Sequence, residues 1–334
     1  MKARICFPVV LLAVLLLGFG TACKSNSAKA VSIVIADDSW DSNKFHNALG
    51  KLVIENAYDG YKVSFSTASS AMNWISIKNN DVDLHLEQWT DVIPTYDEDI
   101  RDGLVINVGV VVEDSRQAVY VPRYVVEGDP SRKIAPMAPG LRRVEDIINY
   151  PHVFPDDENP SRGRFYGSVP GWDADIYMHK RFMYLKLDEK FNYVRLGSEA
   201  ALAMSLVSAY NLGEPWLGYN YEPTWIVGKL DLIRLEDVPF EPEAFEEGKT
   251  GFSTQALVII CSREFPKKAP DLLEFLKKYR TGSARVSEAL SYLDDTGSSH
   301  DDTAIWLLKK YDNLIDEWLP AANAKKLRDY LSKK

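Results

Sequence analysis

An α/β fold built as two lobes is the architecture this sequence predicts, and three observations predict it. Residues 31–89 alternate short apolar runs with amphipathic stretches in the order strand, helix, strand, helix, strand, which implies a mostly parallel sheet with helices on its faces. Two apolar segments, Leu104–Val112 and Gln117–Val121, then end at Pro122, as a chain does when it passes from one lobe to another. Beyond a stretch rich in prolines and charges the alternation resumes, with GRFYGSV at 163–169 ahead of a helical pattern. The 334 residues suffice for two such cores, and 46% hydrophobic with 26% charged residues is an ordinary globular balance.

The first residues are set apart from this body. Lys2 and Arg4 precede an apolar run, Phe7–Phe19, too short for a bilayer crossing of ~20 residues and characteristic of an export signal. Gly20, Thr21 and Ala22 follow, then Cys23, a pattern that resembles a bacterial lipoprotein cleavage site at which the cysteine becomes the lipidated first residue. Gly20 stands where an aliphatic residue is usual. The expectation is a signal peptide over 1–22, a flexible polar tether over 23–30, and an exported body anchored to the cell membrane through Cys23, facing the periplasm or the cell exterior.

In the body, VSIVIA at 31–36 is a β-branched run suited to a buried parallel strand. A polar loop, Asp37–Asn43, carries Trp40, and Phe45, Ala48, Leu49, Leu52 and Val53 then recur at helical spacing. YKVSF at 61–65 is a second strand, and Ser69–Lys78 a short helix with Met72, Trp74 and Ile75 expected inward. VDLHLEQW at 82–89 places Leu84 and Leu86 on one face and His85, Glu87 and Trp89 on the other. Open α/β sheets bind ligands beyond the carboxyl ends of their strands, so Trp40 and Trp89 both fall on the crevice edge.

A short helix is expected at Val144–Asn149. Pro170-Gly171 marks a turn, and Asp173 is a candidate cap for a helix through Tyr184, which puts Trp172 at a helix N-terminus on the crevice. Ser198 caps a second helix through Tyr210. Leu230–Leu235 and Ser253–Cys261 read as strands, and Ala269–Tyr279, Val286–Leu293 and Ala304–Trp318 as amphipathic helices around a polar loop at Asp294–Asp302.

The net charge of −9 falls by 2, to about −11, once Lys2 and Arg4 are removed, and excludes a nucleic-acid surface, which needs clustered basic charge. With Cys6 in the leader and Cys23 modified, Cys261 has no disulfide partner. The five histidines, including His85, are scattered without metal-ligand spacing, so neither a metal nor a cofactor is expected. No Gly-x-Ser-x-Gly, His-Glu-x-x-His or phosphate-loop motif occurs, so no enzyme is expected and an exported hydrolase is the disfavoured alternative.

GEPWLGYNYEPTW at 213–225 concentrates Trp216, Tyr219, Tyr221 and Trp225 between two prolines, with Glu214 and Glu222. Prolines argue against a continuous helix or a central strand, so the segment reads as a shaped loop. Aromatic faces attract cations, and the segment is expected to help wall a pocket for a small organic cation, with Trp216 packing behind Tyr221. Trp74, Trp306 and Trp318 lie on helical faces and read as core.

Strand-then-Trp40, DVDLHLEQW, VPGW, SEAAL and GEPWLGYNYEPTW together resemble the substrate-binding proteins of ABC importers for glycine betaine, proline betaine, choline and related quaternary amines, over Val31 to about Pro320. The resemblance implies a type II-like periplasmic-binding-protein fold with the ligand between the lobes. The boundaries that follow are lobe I at 31–121 and 239–334 and lobe II at 122–238. It implies an aromatic cage in which Trp89, Trp172 and Tyr221 match cage positions, with Tyr221 where Trp is common, and in which Trp40 matches a further wall of the choline-type branch. Trp225, Tyr219, His85 and Glu222 are adjacent ligand-contact candidates, Glu222 as an acid that would favour choline. The implied function is capture of a quaternary amine, glycine betaine first, then choline, proline betaine or carnitine. Delivery to permease and ATPase subunits follows, with the binding protein a monomer that serves osmoprotectant uptake. A sensory lobe signalling to a membrane partner is the alternative.

Overall fold

The β-branched run that opens the body forms an edge-proximal strand whose side chains divide between two cores. The structure, a computed structural model, describes residues 30–334. The expected signal peptide, Cys23 and all of the tether but Ala30 lie outside the described residues. The strands are β1 (Val31–Asp37), β2 (Tyr61–Thr67), β3 (Leu84–Gln88), β4 (Val105–Pro122), β5 (Gly163–Tyr166), β6 (Phe191–Val194), β7 (Gly218–Glu222), β8 (Leu232–Arg234) and β9 (Thr254–Ser262). They form one continuous sheet in the order β2-β1-β3-β9-β4-β7-β5-β6, with β8 paired to β4.

In β1, Ile33 and Ile35 point into the larger core and Val34 and Ala36 into a smaller one beneath the helix Ser70–Lys78, as the two-residue period of a strand requires. The helix Asp41–Ala57 returns the chain from β1 to β2 and buries Phe45, Ala48, Leu49, Leu52 and Val53, the residues spaced for one face. It crosses β3 closely at Gly50, where an added Cβ would sit 2.5 Å from Leu86 Cδ1.

The outer pairs, β1 with β2 and β3, and β5 with β6 and β7, are parallel. The centre is antiparallel: β4 pairs with β9 from Val105 to Arg116 and with β7 from Arg116 to Tyr120. The two apolar segments read separately at 104–112 and 117–121 are thus one long, bulged strand. Strands β5 to β8 arise from residues 163–234, and β1 to β3 and β9 from either side of them.

Several expectations are corrected. GEPWLGYNYEPTW is not a loop: its centre is β7, buried along Gly218–Tyr221, and Trp225 begins the short helix Trp225–Lys229. Pro215 and Pro223 bracket the strand instead of interrupting it, so no ladder donor is lost. In Ser70–Lys78, Trp74 and Ile77 are buried while Met72 and Ile75 are exposed, because the helix presents a narrower face to the sheet than the apolar residues suggest. Asp173 opens its helix without capping it, and Trp172 holds the cap position. Ser198 does cap its helix, accepting from the Ala201 amide. The stretch Ala304–Trp318 is two helices, His300–Lys310 and Asn313–Trp318, and Ala321–Leu331 and β6 were not foreseen. Trp74 and Trp318 are buried, whereas Trp306 is half-buried and stacks on Tyr292.

Candidate ligand-binding site

Four aromatic residues from four separate segments meet where the strands end. Trp40 follows β1 and holds the N-cap position of Asp41–Ala57. Trp89 follows β3 directly. Trp172 lies after β5, at the N-cap of Asp173–Tyr184. Tyr221 sits near the end of β7, two residues from Tyr219 and so on the same face. Each is nearly buried: Trp40 and Trp89 are 5% exposed, Trp172 8% and Tyr221 4%.

Their rings form a chain of edge-to-face contacts. Trp40 meets Trp172 at 5.5 Å between centroids and 82°, Trp172 meets Tyr221 at 5.7 Å and 87°, and Tyr221 meets Trp89 at 6.0 Å and 83°. Successive perpendicular rings set the positive edge of one against the negative face of the next, and they wall a narrow cavity of about 20 Å³. Ser70, Gln88, Gln117 and Asp173 supply polar groups to the same lining, and none of its side chains is basic.

Behind the rings stand carboxylates. Glu87, fully buried on β3, accepts from Trp40 Nε1 at 3.1 Å and from Ser42 Oγ at 2.7 Å, and its Oε2 has no partner within the protein. Burial raises its carboxyl to about 8, against the opposing pull of these donors and with a further push from Glu199. Glu199, half-buried at the start of the helix Glu199–Leu212, accepts from Tyr221 Oη at 2.5 Å and from the Asp41 amide at 2.7 Å. It too is raised to about 8, by burial first and then by Asp41. Asp173 is raised to about 6 by burial and by Asp38.

The structure therefore brings Trp40, Trp89, Trp172 and Tyr221 together. It places the other candidates, Tyr219 excepted, outside the cavity. His85 is buried in the second rank, its Nε2 3.0 Å from Asp38 and its ring 6.3 Å from Trp40. Glu222 accepts from Tyr120 Oη at 2.7 Å, on the opposite face of β7 from Tyr221. Trp225 lies half-buried under the Lys229 ammonium, 5.2 Å from its ring. Trp216 is fully buried and stacks on Tyr166 at 5.5 Å. Sequence reasoning missed Gln88 and Gln117 as lining and Glu199 as the support of Tyr221, whereas Tyr219, an adjacent candidate, does line the cavity. The only local sign of Glu199 was an acid after a helix cap, which normally serves its own helix.

Among the described residues no group of three or more His, Cys, Asp or Glu could hold a metal ion, and no helix is long and apolar enough to cross a membrane. Cys261 is a buried free thiol on β9.

The family described as the substrate-binding domain of the ABC-type glycine betaine transport system matches residues 31–310. No curated protein matches by sequence. Among solved structures, the glycine betaine, L-proline-binding protein ProX of Borrelia burgdorferi is similar with TM-score 0.71 at 15% identity, over 89% of this chain and 99% of that one. An ABC-transporter choline-binding protein in complex with choline gives 0.70 at 17%, over 90% and 98%. Lactococcal OpuAC, closed on glycine betaine, gives 0.66 at 16%, over 86% and 99%. At these identities the structural likeness carries the fold, a two-lobed binding-protein architecture.

Proposed function

The chain belongs to the family of substrate-binding domains of ABC-type glycine betaine transport systems, and from that premise we propose that its aromatic cavity captures a quaternary ammonium compound by the head. The family sets the coarse function, an extracytoplasmic solute-binding protein serving an ABC importer. The observation that carries the finer reading is the perpendicular chain Trp40–Trp172–Tyr221–Trp89. A trimethylammonium head has no N–H to donate and spreads its charge over methyl groups. Aromatic faces answer both properties, each desolvated ring contributing roughly 1–2 kcal/mol. Four rings amount to on the order of 4–8 kcal/mol, against about 8 kcal/mol for micromolar affinity. Polar contacts and closure of the lobes supply the rest.

The charge around the cavity favours a carboxylate-free cation, of which choline is the simplest. Asp173 lines the cavity and no basic side chain faces in, while burial holds Glu87 and Glu199 behind its walls largely protonated near neutral pH. Asp173 is positioned to accept from a ligand hydroxyl. Glycine betaine, which the family description names, is the second reading, supported by the donors of Ser70, Gln88 and Gln117. In this reading the protein works by binding alone, as a monomer tethered through lipidated Cys23, with lobe I at 31–121 and 239–334 and lobe II at 122–238.

A ligand panel of choline, glycine betaine, proline betaine, carnitine and trimethylamine oxide, read by intrinsic tryptophan fluorescence, tests it. The expected result is tightest binding of choline. Tighter binding of glycine betaine would select the second reading, and failure of every ligand to bind below ~1 mM, about 4 kcal/mol, would remove both.

A further inference from the structure

Glu199 reaches across the molecule. It belongs to the helix that follows β6, at the far end of the sheet from β1, yet its Oε2 accepts from the amide of Asp41 at 2.7 Å. Asp41 is the first residue of Asp41–Ala57, a helix whose N-cap residue, Trp40, makes no side-chain capping bond because an indole has no acceptor. The cap comes instead from Glu199, 158 positions away. The other oxygen of the same carboxylate accepts from Tyr221 Oη at 2.5 Å. One group therefore holds the backbone beside Trp40 and the hydroxyl of Tyr221, two walls of the cavity carried by different segments. The first amides of a helix have no intrahelical partner, and an acceptor supplied from elsewhere in the chain satisfies one of them.

We infer that Glu199 is a positioning residue: it latches the Asp41 end of lobe I to Tyr221 of lobe II and so sets the closed geometry of the aromatic cavity. The latch is a property of the closed arrangement. When the lobes part, the Asp41 amide loses its acceptor, and Tyr221 loses its link to Trp40. The inference rests on the reading of the cavity as a cation site, but its geometry is testable without ligand.

The test measures hydrogen exchange of the Asp41 amide by NMR in the wild-type protein, Glu199→Ala and Glu199→Gln, alongside the dissociation rate of tetramethylammonium followed by stopped-flow tryptophan fluorescence. Glu199→Ala is expected to speed Asp41 exchange about tenfold while amides of the central β9, such as Ile259, keep the wild-type rate. Glu199→Gln, which keeps one carbonyl acceptor, is expected to fall between. Tetramethylammonium should leave both variants faster than wild type, Ala faster than Gln. Tyr221→Phe should accelerate dissociation and make a further Glu199→Gln change less than additive. Unchanged Asp41 exchange in Glu199→Ala overturns the latch, even if the cation binds. Should exchange respond while wild-type protein binds no tetramethylammonium, the latch stands and the cation reading falls. If Glu199→Ala loosens the whole fold, Glu199→Gln decides, and wild-type exchange at Asp41 in that variant, with wild-type dissociation, overturns the proposal.

Discussion

Glu87 is where the cost of the cavity is concentrated. Its carboxyl is wholly buried behind Trp40, with two donors on one oxygen and none on the other. Burial raises it to about 8 from its ordinary 4.5, with Glu199 and Tyr279 the acidic groups facing it. Between those two values the folded protein keeps a proton that the unfolded chain has released. The fold therefore loses stability as pH rises through that window, and the loss is complete above about 8. Glu87→Gln keeps an acceptor for Trp40 and Ser42 and cannot ionise. Its melting temperature should exceed wild type by roughly 5 °C at pH 9 and differ little at pH 5; thermal unfolding followed by circular dichroism at the two values checks this. An equal shift at both would show that Glu87 is not ionising in the fold. At this scale the sequence was informative about Trp40, Trp89 and Trp172, because each follows a legible strand end or turn. It was misleading about Glu222, which neighbours Tyr221 in the chain but points the other way, since successive strand residues face opposite sides.

At the scale of elements, β7 is the instructive case. Two prolines and four aromatics within GEPWLGYNYEPTW read as a loop, yet the segment is a strand between β4 and β5. Proline content counted over the segment hid the fact that both prolines lie outside the five paired residues. The strand seats Tyr221 only because Gly218 lets β7 approach β5: an added Cβ would lie 2.7 Å from both Cβ and O of Tyr166 and 2.8 Å from the Trp216 ring. Gly218→Ala is therefore expected to cost about 1–3 kcal/mol of stability and to weaken ligand binding through displaced Tyr221, measured by urea unfolding and by fluorescence titration of the same variant. Wild-type stability would mean that the β5–β7 contact is looser than these distances. The early elements were legible because periodicity and packing agree there: the apolar positions of Asp41–Ala57 are its buried positions. In Ser70–Lys78 they disagree, since Met72 and Ile75 face out, and no pattern within nine residues distinguishes a helix face that meets a sheet from one that meets solvent.

Over the whole molecule, β4 and β9 are the strands that tie the two ends of the sheet together, β4 pairing first with β9 and then with β7. The passage between lobes was visible in the sequence as apolar segments ending at Pro122, but the antiparallel centre was not, because pairing partners as far apart as Ser115 and Gln255, 140 positions, leave no local trace. The same distance concealed Glu199. What the chain builds with this layout is a cavity whose walls come from both ends of the sheet, with Asp173 in its lining and no basic side chain. The central claim, that this cavity holds a quaternary ammonium head between its rings, is tested most directly by calorimetric titration of choline into the wild-type protein and into Trp172→Ala. The account predicts binding of about 8 kcal/mol, a micromolar dissociation constant, for wild type, and a loss of at least ~30-fold, about 2 kcal/mol, for Trp172→Ala with its fold intact. Equal affinity in the two proteins would contradict it.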